Sequence, residues 1–196
     1  SERPVFALLP GSRPHELKSL LPVMLDVVKK FKAEFSSYNY QFVMPVAPNI
    51  DIEKYRDYIV SLQDEGVTIK KENAVNVLSV SELAVIASGT ATLQSAFLGT
   101  PMVVIYKVSP LSYAIAKLII NVKYVSLINL ISETEVVKEL LQSEADTKNI
   151  MLELKKIMLD KGYREQMIDR FRIARNIFSG RQPSIRVAEM ICEMMA

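Results

Sequence analysis

The chain has 196 residues, of which 49% are hydrophobic and 23% charged, so it has enough apolar material for a core and is not a disordered segment. Its formal charge of +2 is too small to indicate nucleic-acid binding by itself. Cys192 is the single cysteine, which excludes an internal disulfide and makes a reducing cytoplasm the simplest compartment.

The start of the chain and its most apolar stretch bear on localisation. The chain opens on Ser1 without an initiator Met or a signal peptide, so we expect a fragment of a longer protein. The most membrane-like stretch, 101–131, is interrupted by Lys107, Lys117 and Lys123. No apolar run reaches the roughly 18 residues of a spanning helix, so no segment is predicted to cross a bilayer.

Short apolar segments alternate with helical periodicity through the first two thirds of the chain. Five strands are predicted, at 5–9, 41–44, 67–69, 83–87 and 102–106. Helices are predicted at 15–35, 52–62, 90–98 and 111–120. This alternation indicates an α/β fold with a doubly wound, mostly parallel sheet, because each crossover helix covers one face of the sheet.

Only helices are predicted in the last third of the chain. They span about 133–142, 147–160, 163–178 and 184–195. No low-complexity linker or internal repeat separates them from the preceding part. We therefore expect an α/β ligand-binding domain over residues 1–142, with residues 143–196 as a helical C-terminal extension of the same domain.

The sequence LLPGSRPHE joins the first predicted strand to the first helix, and ligands bind at such junctions in open parallel sheets. Gly11 allows the backbone to approach a ligand closely, Ser12 can cap the helix or bind phosphate, and Arg13 offers a planar fork to an anion. The same residues also fit an ordinary helix start, with Glu16 facing the helix dipole. A single glycine does not decide between the two interpretations.

The sequence ASGTATLQ forms a second junction, after the fourth predicted strand. Ser88, Thr90 and Thr92 place hydroxyls around Gly89 at a helix N-terminus, which suits a diphosphate. Serine and threonine are also ordinary N-caps, so this junction is only suggestive alone. Two such junctions in one sheet favour a nucleotide site, although neither matches GxGxxG or GxxxxGKS/T.

Other chemistries have less support in the sequence. His15 is the single histidine, so a Ser-His-Asp triad would need it, and no cluster of residues has metal-ligand spacing. Residues 161–186 contain seven basic and two acidic side chains. Such a run is usually a solvated helix face, but it could also contact anionic lipid headgroups or phosphates.

Four segments resemble, in the same order, motifs of the lipid-A-disaccharide synthase family. LLPGSRPHE is similar to the family's LLPGSRxxE, and ASGTATLQ is similar to its ASGTATLE. TPMVVIYKVSPLSYAIAK (100–117) resembles the segment that follows, and YVSLINLISETEVVKELLQ (124–142) resembles the family's YVSLPN…ELLQ region. The resemblance implies a two-domain GT-B-type glycosyltransferase, with this chain as its C-terminal, Rossmann-like, donor-binding half.

The resemblance implies transfer of a diacylated glucosamine from UDP to an acylated glucosamine 1-phosphate, in the synthesis of lipid A. It also implies a reaction without a metal or other cofactor, in which UDP-diacylglucosamine is a substrate. The implied location is the cytoplasmic face of the inner membrane, as a peripheral protein. Because the family's N-terminal half is expected to hold the general base, this chain alone is expected to bind UDP without turnover.

The resemblance further implies roles for particular residues. Substrate-binding roles are implied for Gly11, Ser12, Arg13, Ser88, Gly89, Thr90, Thr92, Gln94 and Glu139. Catalytic roles are implied for Arg13, Asn129 and Gln142. Two positions depart from the family pattern. Gln94 replaces a glutamate that accepts both ribose hydroxyls in related transferases, and Ile128 replaces a proline before Asn129.

Two alternative functions remain open from the sequence. One is another UDP-sugar transferase, or an epimerase, of the same architecture. The other is a non-catalytic module whose basic helix binds nucleic acid. The scattered acidic residues and the lack of aromatic stacking positions beside the arginines count against this second alternative.

The C-terminal segment has an apolar helical face, formed by Ile185, Ala188, Ile191, Cys192 and Met195. Without an N-terminal half to cover it, this face has to pack on its own sheet or on a partner. We therefore expect a homodimer through the C-terminal helices.

Overall fold

The computed structural model describes residues 3–48, 50–108 and 123–178. The helices predicted at 111–120 and 184–195 lie outside these ranges. The apolar C-terminal face on which the expected homodimer depends also lies outside them.

Six strands of the described residues form a single parallel sheet. They are β1 (Val5–Leu9), β2 (Gln41–Val46), β3 (Val67–Lys71), β4 (Ser81–Ala87), β5 (Met102–Tyr106) and β6 (Glu139–Leu141). Their order across the sheet is β3-β2-β1-β4-β5-β6, so the strand order reverses between β1 and β4. This is the order of a doubly wound, Rossmann-like sheet, which confirms the predicted fold class.

Seven α-helices of the described ranges connect the strands or follow them. They are α1 (Pro14–Phe35), α2 (Arg56–Asp64), α3 (Ala74–Leu78), α4 (Thr90–Leu98), α5 (Leu127–Ser132), α6 (Thr147–Leu159) and α7 (Lys161–Phe178). Short 3-10 turns occupy Ser36–Tyr38, Ile52–Tyr55 and Gln142–Glu144. None of these helices is long and apolar enough to span a lipid bilayer.

The hydrophobic core lies between the sheet and the helices that cover it. The apolar stripe of α1 faces the sheet, and its residues Leu20, Met24 and Val28 are fully buried. β1 is buried at every position, as expected for an interior strand with helices on both faces. α6 packs against α1, and α7 packs against α4 and α6. The helices that follow the sheet in the chain therefore share its core.

The predicted helix at 133–142 is wrong. Part of this segment forms strand β6, in which Glu139 and Leu140 pair with Val104 and Ile105 of β5. Leu140 is buried, so pairing at the sheet edge outweighs the weak helical periodicity of a short segment. Helices α3 and α5 have no counterpart among the predicted elements, because five or six residues are too few to show a helical period.

Candidate functional site

A cavity of about 680 Å³ lies at the carboxyl ends of β1 and β4, where the strand order reverses. Ligands of open α/β sheets bind at this point. The lining includes residues 9–13 from the first junction and residues 87–91 from the second. The rest of the lining includes residues at or after the ends of β2, β3 and β5, together with Glu16 and Gln94. The structure therefore brings the two junctions identified in the sequence together around one cavity.

The buried carboxylate of Glu16 organises the first junction. Its Oε2 accepts the backbone N–H groups of Ser12 and Arg13 at 3.0 and 3.1 Å. Its Oε1 lies 3.1 Å from Nη1 of Arg13. Gly11 has φ +94°, and a Cβ at this position would overlap the Glu16 side chain. The group that approaches Gly11 closely is therefore the Glu16 side chain. Glu16 holds the loop through these hydrogen bonds, in addition to any interaction with the helix dipole.

Arg13 is the one cation among the described residues that line the cavity. Its side chain is 65% exposed, and a guanidinium has five N–H donors, so donors remain for a ligand beyond the contact with Glu16. Glu72 also lines the cavity, and N–H groups of Asn73 and Asn76 bond to its carboxylate and lower its pKa. With two carboxylates in the lining, an anionic ligand depends on Arg13 and on helix dipoles for positive charge.

The second junction leaves the N-terminus of α4 open to the cavity. Gly89 precedes this helix in an extended conformation that any residue adopts, and a Cβ there would meet nothing within 4 Å. The surrounding protein therefore does not require glycine at position 89, and the absence of a side chain leaves space in front of the helix. Because the first turn has N–H groups without intrahelical partners, this space lies at the positive end of the helix dipole.

The four polar side chains predicted at this junction divide into two pairs. Ser88 is buried and donates its hydroxyl to the carbonyl of Val125 at 3.1 Å. Thr92 is fully buried and donates to the carbonyl three residues earlier at 2.7 Å, so it supports the turn from inside. Thr90 and Gln94 line the cavity. In the part of the chain that the structure describes, neither side chain has a hydrogen-bond partner.

The predicted residues of the third region, Glu139 and Asn129, form a hydrogen-bonded cluster behind the cavity lining. Glu139 accepts the backbone N–H groups of Val125 and Ser126 at 2.8 and 2.9 Å, and the Ser126 hydroxyl at 2.6 Å. Asn129 is fully buried and donates to Glu139 at 2.8 Å. The Asn129 amide oxygen also accepts the backbone N–H groups of Val136 and Val137, and its NH₂ group donates to the carbonyl of Val137.

Gln142 follows β6 with φ +52°, an uncommon conformation for a residue with a side chain. Its Oε1 accepts the backbone N–H of Val108 at 3.2 Å. Its Nε2 is buried without a partner in the described ranges. Gln142 is not among the described residues that line the cavity, and its catalytic role stays a prediction.

Within residues 3–48, 50–108 and 123–178, no group of three His, Cys, Asp or Glu side chains could hold a metal ion. His15 is exposed in the first turn of α1. In the described part of the basic run, the ion pairs Arg172–Asp169 and Lys161–Glu165 are exposed on α7. The run's residues beyond 178 lie outside the described ranges.

Sequence comparison matches residues 1–191 to the family model of the Lipid-A-disaccharide synthetases. A lipid-A-disaccharide synthase of Anaeromyxobacter dehalogenans (strain 2CP-1 / ATCC BAA-258) is 34% identical over 195 residues, which are 100% of this chain and 50% of that protein. One of Myxococcus xanthus (strain DK1622) is 36% identical over 197 residues, covering 99% of this chain and 50% of that protein. The chain thus spans about half the length of these relatives.

Solved structures share the fold at low sequence identity. A putative UDP-N-acetylglucosamine 2-epimerase from Listeria monocytogenes matches with TM-score 0.60 and 14% identity, over 86% of this chain and 39% of that one. CalG4, the calicheamicin glycosyltransferase, matches with TM-score 0.60 and 14% identity, over 97% of this chain and 43% of that one. These structures confirm the expected Rossmann-like half of a GT-B architecture. With the sequence matches over nearly its whole length, the chain belongs to the lipid-A-disaccharide synthetase family.

Proposed function

We propose that this chain binds the nucleotide part of a UDP-sugar in the cavity at the ends of β1 and β4. In a whole protein of the relatives' length, the donor is UDP-diacylglucosamine and the acceptor an acylated glucosamine 1-phosphate, as lipid A synthesis requires. The observation that carries the proposal is the meeting of the two family motifs, around Arg13 and around Gly89, at one cavity. Membership of the family supports this choice of substrates.

Arg13 and the N-terminus of α4 are proposed to offset part of the charge of the diphosphate. A diphosphate carries at least two negative charges, and the cavity lining already contains the carboxylates of Glu16 and Glu72. The helix N-terminus contributes about half an elementary charge, and Arg13 contributes a full charge with several N–H donors. These groups offset part of the negative charge. In keeping with the metal-independent reaction that the family resemblance implies, we propose that EDTA does not inhibit the reaction.

Arg13 is also proposed to act in the transfer step. Negative charge grows on the departing UDP as the bond between sugar and diphosphate breaks, and a nearby guanidinium stabilises that charge. Glu16 assists indirectly, because it holds the loop that carries Arg13. The general base is proposed to lie in the half of the relatives that this chain does not span. On this proposal the chain alone binds UDP and does not turn over.

Both proposed substrates carry acyl chains, which hold them in a bilayer while their sugar and phosphate groups remain in water. We therefore propose that the whole protein acts at the cytoplasmic surface of the inner membrane, as a peripheral protein. No nucleic-acid partner is proposed, because the formal charge of the chain is only +2, and two of the basic side chains of α7 lie in exposed ion pairs with acidic neighbours.

Calorimetric titration of the chain with UDP, UMP and a single-stranded oligonucleotide tests the proposal. UDP is expected to bind about tenfold more tightly than UMP, because its second phosphate adds a charge-assisted interaction. Arg13→Ala should reduce this difference, whereas Glu144→Gln, an exposed change outside the cavity lining, should leave it unaltered. Equal affinities for UDP and UMP would contradict a diphosphate site. Preferential binding of the oligonucleotide, weakening steeply with salt, would favour a nucleic-acid module.

An epimerase acting on UDP-sugars is the second candidate, because the Listeria monocytogenes structure shares this fold. A shared fold does not by itself separate transfer from epimerisation. The whole protein can be assayed with acylated and unacylated UDP-glucosamine, each with and without the acylated acceptor. Release of UDP that needs both the acylated donor and the acceptor supports the transferase. Conversion of the sugar without an acceptor supports the epimerase.

A further inference from the structure

We infer that Glu139 and Asn129 are positioning residues, which hold residues 125–127 at the wall of the proposed donor cavity without touching the donor. The inference rests on the proposed function of that cavity. It gives these two residues a different role from the direct one, in substrate binding or catalysis, that the family resemblance implies.

Most of the hydrogen-bonding capacity of both side chains is already used. A carboxylate has about four lone-pair positions. Glu139 accepts four hydrogen bonds. Its Oε1 accepts the N–H and hydroxyl of Ser126 and the amide of Asn129, and its Oε2 accepts the Val125 N–H. The NH₂ group of Asn129 donates to Glu139 and to the carbonyl of Val137. Its amide oxygen accepts the backbone N–H groups of residues 136 and 137. Asn129 therefore has no position left for a ligand, and Glu139 has one lone-pair position left, on Oε2.

Burial supports the same assignment. Asn129 exposes none of its surface, and neither Asn129 nor Glu139 is among the described residues that line the cavity. Val125 and Leu127 do line it, while Ser126 between them is fully buried and bonded to Glu139. The segment therefore alternates, with the flanking residues at the cavity wall and the middle residue anchored behind it.

The same segment is tied to the second junction. The Ser88 hydroxyl donates to the Val125 carbonyl at 3.1 Å, and the Val125 N–H donates to Glu139 at 2.8 Å. Ser88 directly precedes Gly89, the N-cap of α4. One peptide segment thus links β6, through Glu139, to the loop that we propose for the diphosphate. If either bond is lost, residues 125–127 can shift relative to the loop at Gly89, and the cavity loses its preorganised shape.

Titration with UDP measures how the loss of these hydrogen bonds changes UDP affinity, in two variants and a control. Glu139→Gln replaces a carboxylate oxygen with an NH₂ group, which cannot accept the N–H groups around it. We expect this variant to bind UDP about tenfold more weakly. Ser126→Ala removes a single hydroxyl bond to the same carboxylate, so a smaller loss is expected from a variant that is easier to fold. The control, Glu144→Gln, removes an exposed charge nearby and should bind as the wild type does.

Two comparisons separate positioning from the other roles that Glu139 could have. A direct contact with the ribose predicts that Glu139→Gln weakens UDP and leaves 2′,3′-dideoxy-UDP unaffected, whereas positioning predicts equal fold-losses for both ligands. A purely structural role predicts a lower unfolding temperature with unchanged UDP affinity in the folded protein. Positioning also predicts that Ser88→Ala and Glu139→Gln together cost less than the sum of their separate losses, because both hold Val125.

Amide hydrogen exchange tests the hydrogen bonds from Val125 and Ser126 to Glu139 independently of any ligand. The N–H groups of Val125 and Ser126 are expected to be protected in the wild type and to exchange at least tenfold faster in Glu139→Gln. Unchanged exchange at these two amides overturns the inference. Failure of the wild type to bind UDP overturns the proposed function instead. The exchange result then shows that Glu139 holds residues 125–126 without a role in donor binding.

Discussion

A Cβ at the position of Gly11 would overlap the carboxylate of Glu16. Glu16 reaches the N–H groups of Ser12 and Arg13 because nothing projects from position 11. Gly11 also has φ +94°, a conformation that favours glycine. The first junction is therefore a loop folded around a buried carboxylate, with Arg13 at its end beside the cavity.

Gly11→Ala is expected to destabilise the fold and displace Glu16. A left-handed backbone costs an L residue roughly 1–2 kcal/mol, and the overlap with the buried carboxylate adds to this cost. Gly66→Ala is the matched control, because Gly66 has φ +78° but a Cβ there meets nothing within 4 Å. Urea unfolding compares the two variants. Equal losses of unfolding free energy would show that Glu16 accommodates the methyl group without cost.

Arg13→Ala is expected to lower kcat/KM of the whole protein at least tenfold while leaving the fold intact. Charge-assisted bonds to phosphate contribute roughly 1.5–3 kcal/mol, and the ion pair of Arg13 with Glu16 is largely exposed on the arginine side, so it adds little stability. Lys18→Ala removes an exposed cation on the same helix and serves as the control. An unchanged rate for Arg13→Ala would support the ordinary helix start instead.

Gln94→Glu is expected to tighten UDP measurably and to leave 2′-deoxy-UDP nearly unaffected. Gln94 lines the cavity, and a carboxylate can accept both ribose hydroxyls where the amide has one acceptor oxygen. Gln63→Glu adds the same charge at an exposed position outside the cavity lining, and should change neither affinity. The same change for both ligands would mean that position 94 does not contact the 2′-hydroxyl.

Tyr163 is expected to make the stability of the fold depend on alkaline pH. Burial, together with its hydrogen bond to the buried carboxylate of Glu153, raises the pKa of Tyr163 above its ordinary value. In the unfolded chain the pKa is about 10. Because the folded pKa is the higher one, the protonated phenol stabilises the fold fully below this pH, and the contribution decreases as the pH rises above it.

Urea unfolding between about pH 9 and 11 measures this contribution, with Tyr163→Phe as the comparison. The wild type is expected to lose unfolding free energy more steeply above pH 10 than the variant, because other titrating groups are common to both. Parallel pH profiles would show that Tyr163 titrates alike in the folded and unfolded chains.

The sequence by itself determined the family and most of the elements that bound the cavity. The apolar runs at 5–9 and 102–106 and the helical stripe at 15–35 each show a single periodicity, so local pattern suffices for them. Both cavity junctions were also visible, because glycine and hydroxyl residues after an apolar strand are a local signal. A match of collinear motifs needs no coordinates, which explains why the family could be recognised as well.

The tertiary structure decided the strand order, the existence of β6 and the use of the polar side chains. Glu139 and Leu140 form a strand because the edge of β5 offers them partners, which no local pattern encodes. A hydroxyl or amide near a site suits a ligand contact and a structural bond equally well. Ser88 bonds to Val125, 37 positions away, and Glu139 to Asn129, so the choice depended on which donors and acceptors the fold brings within about 3 Å.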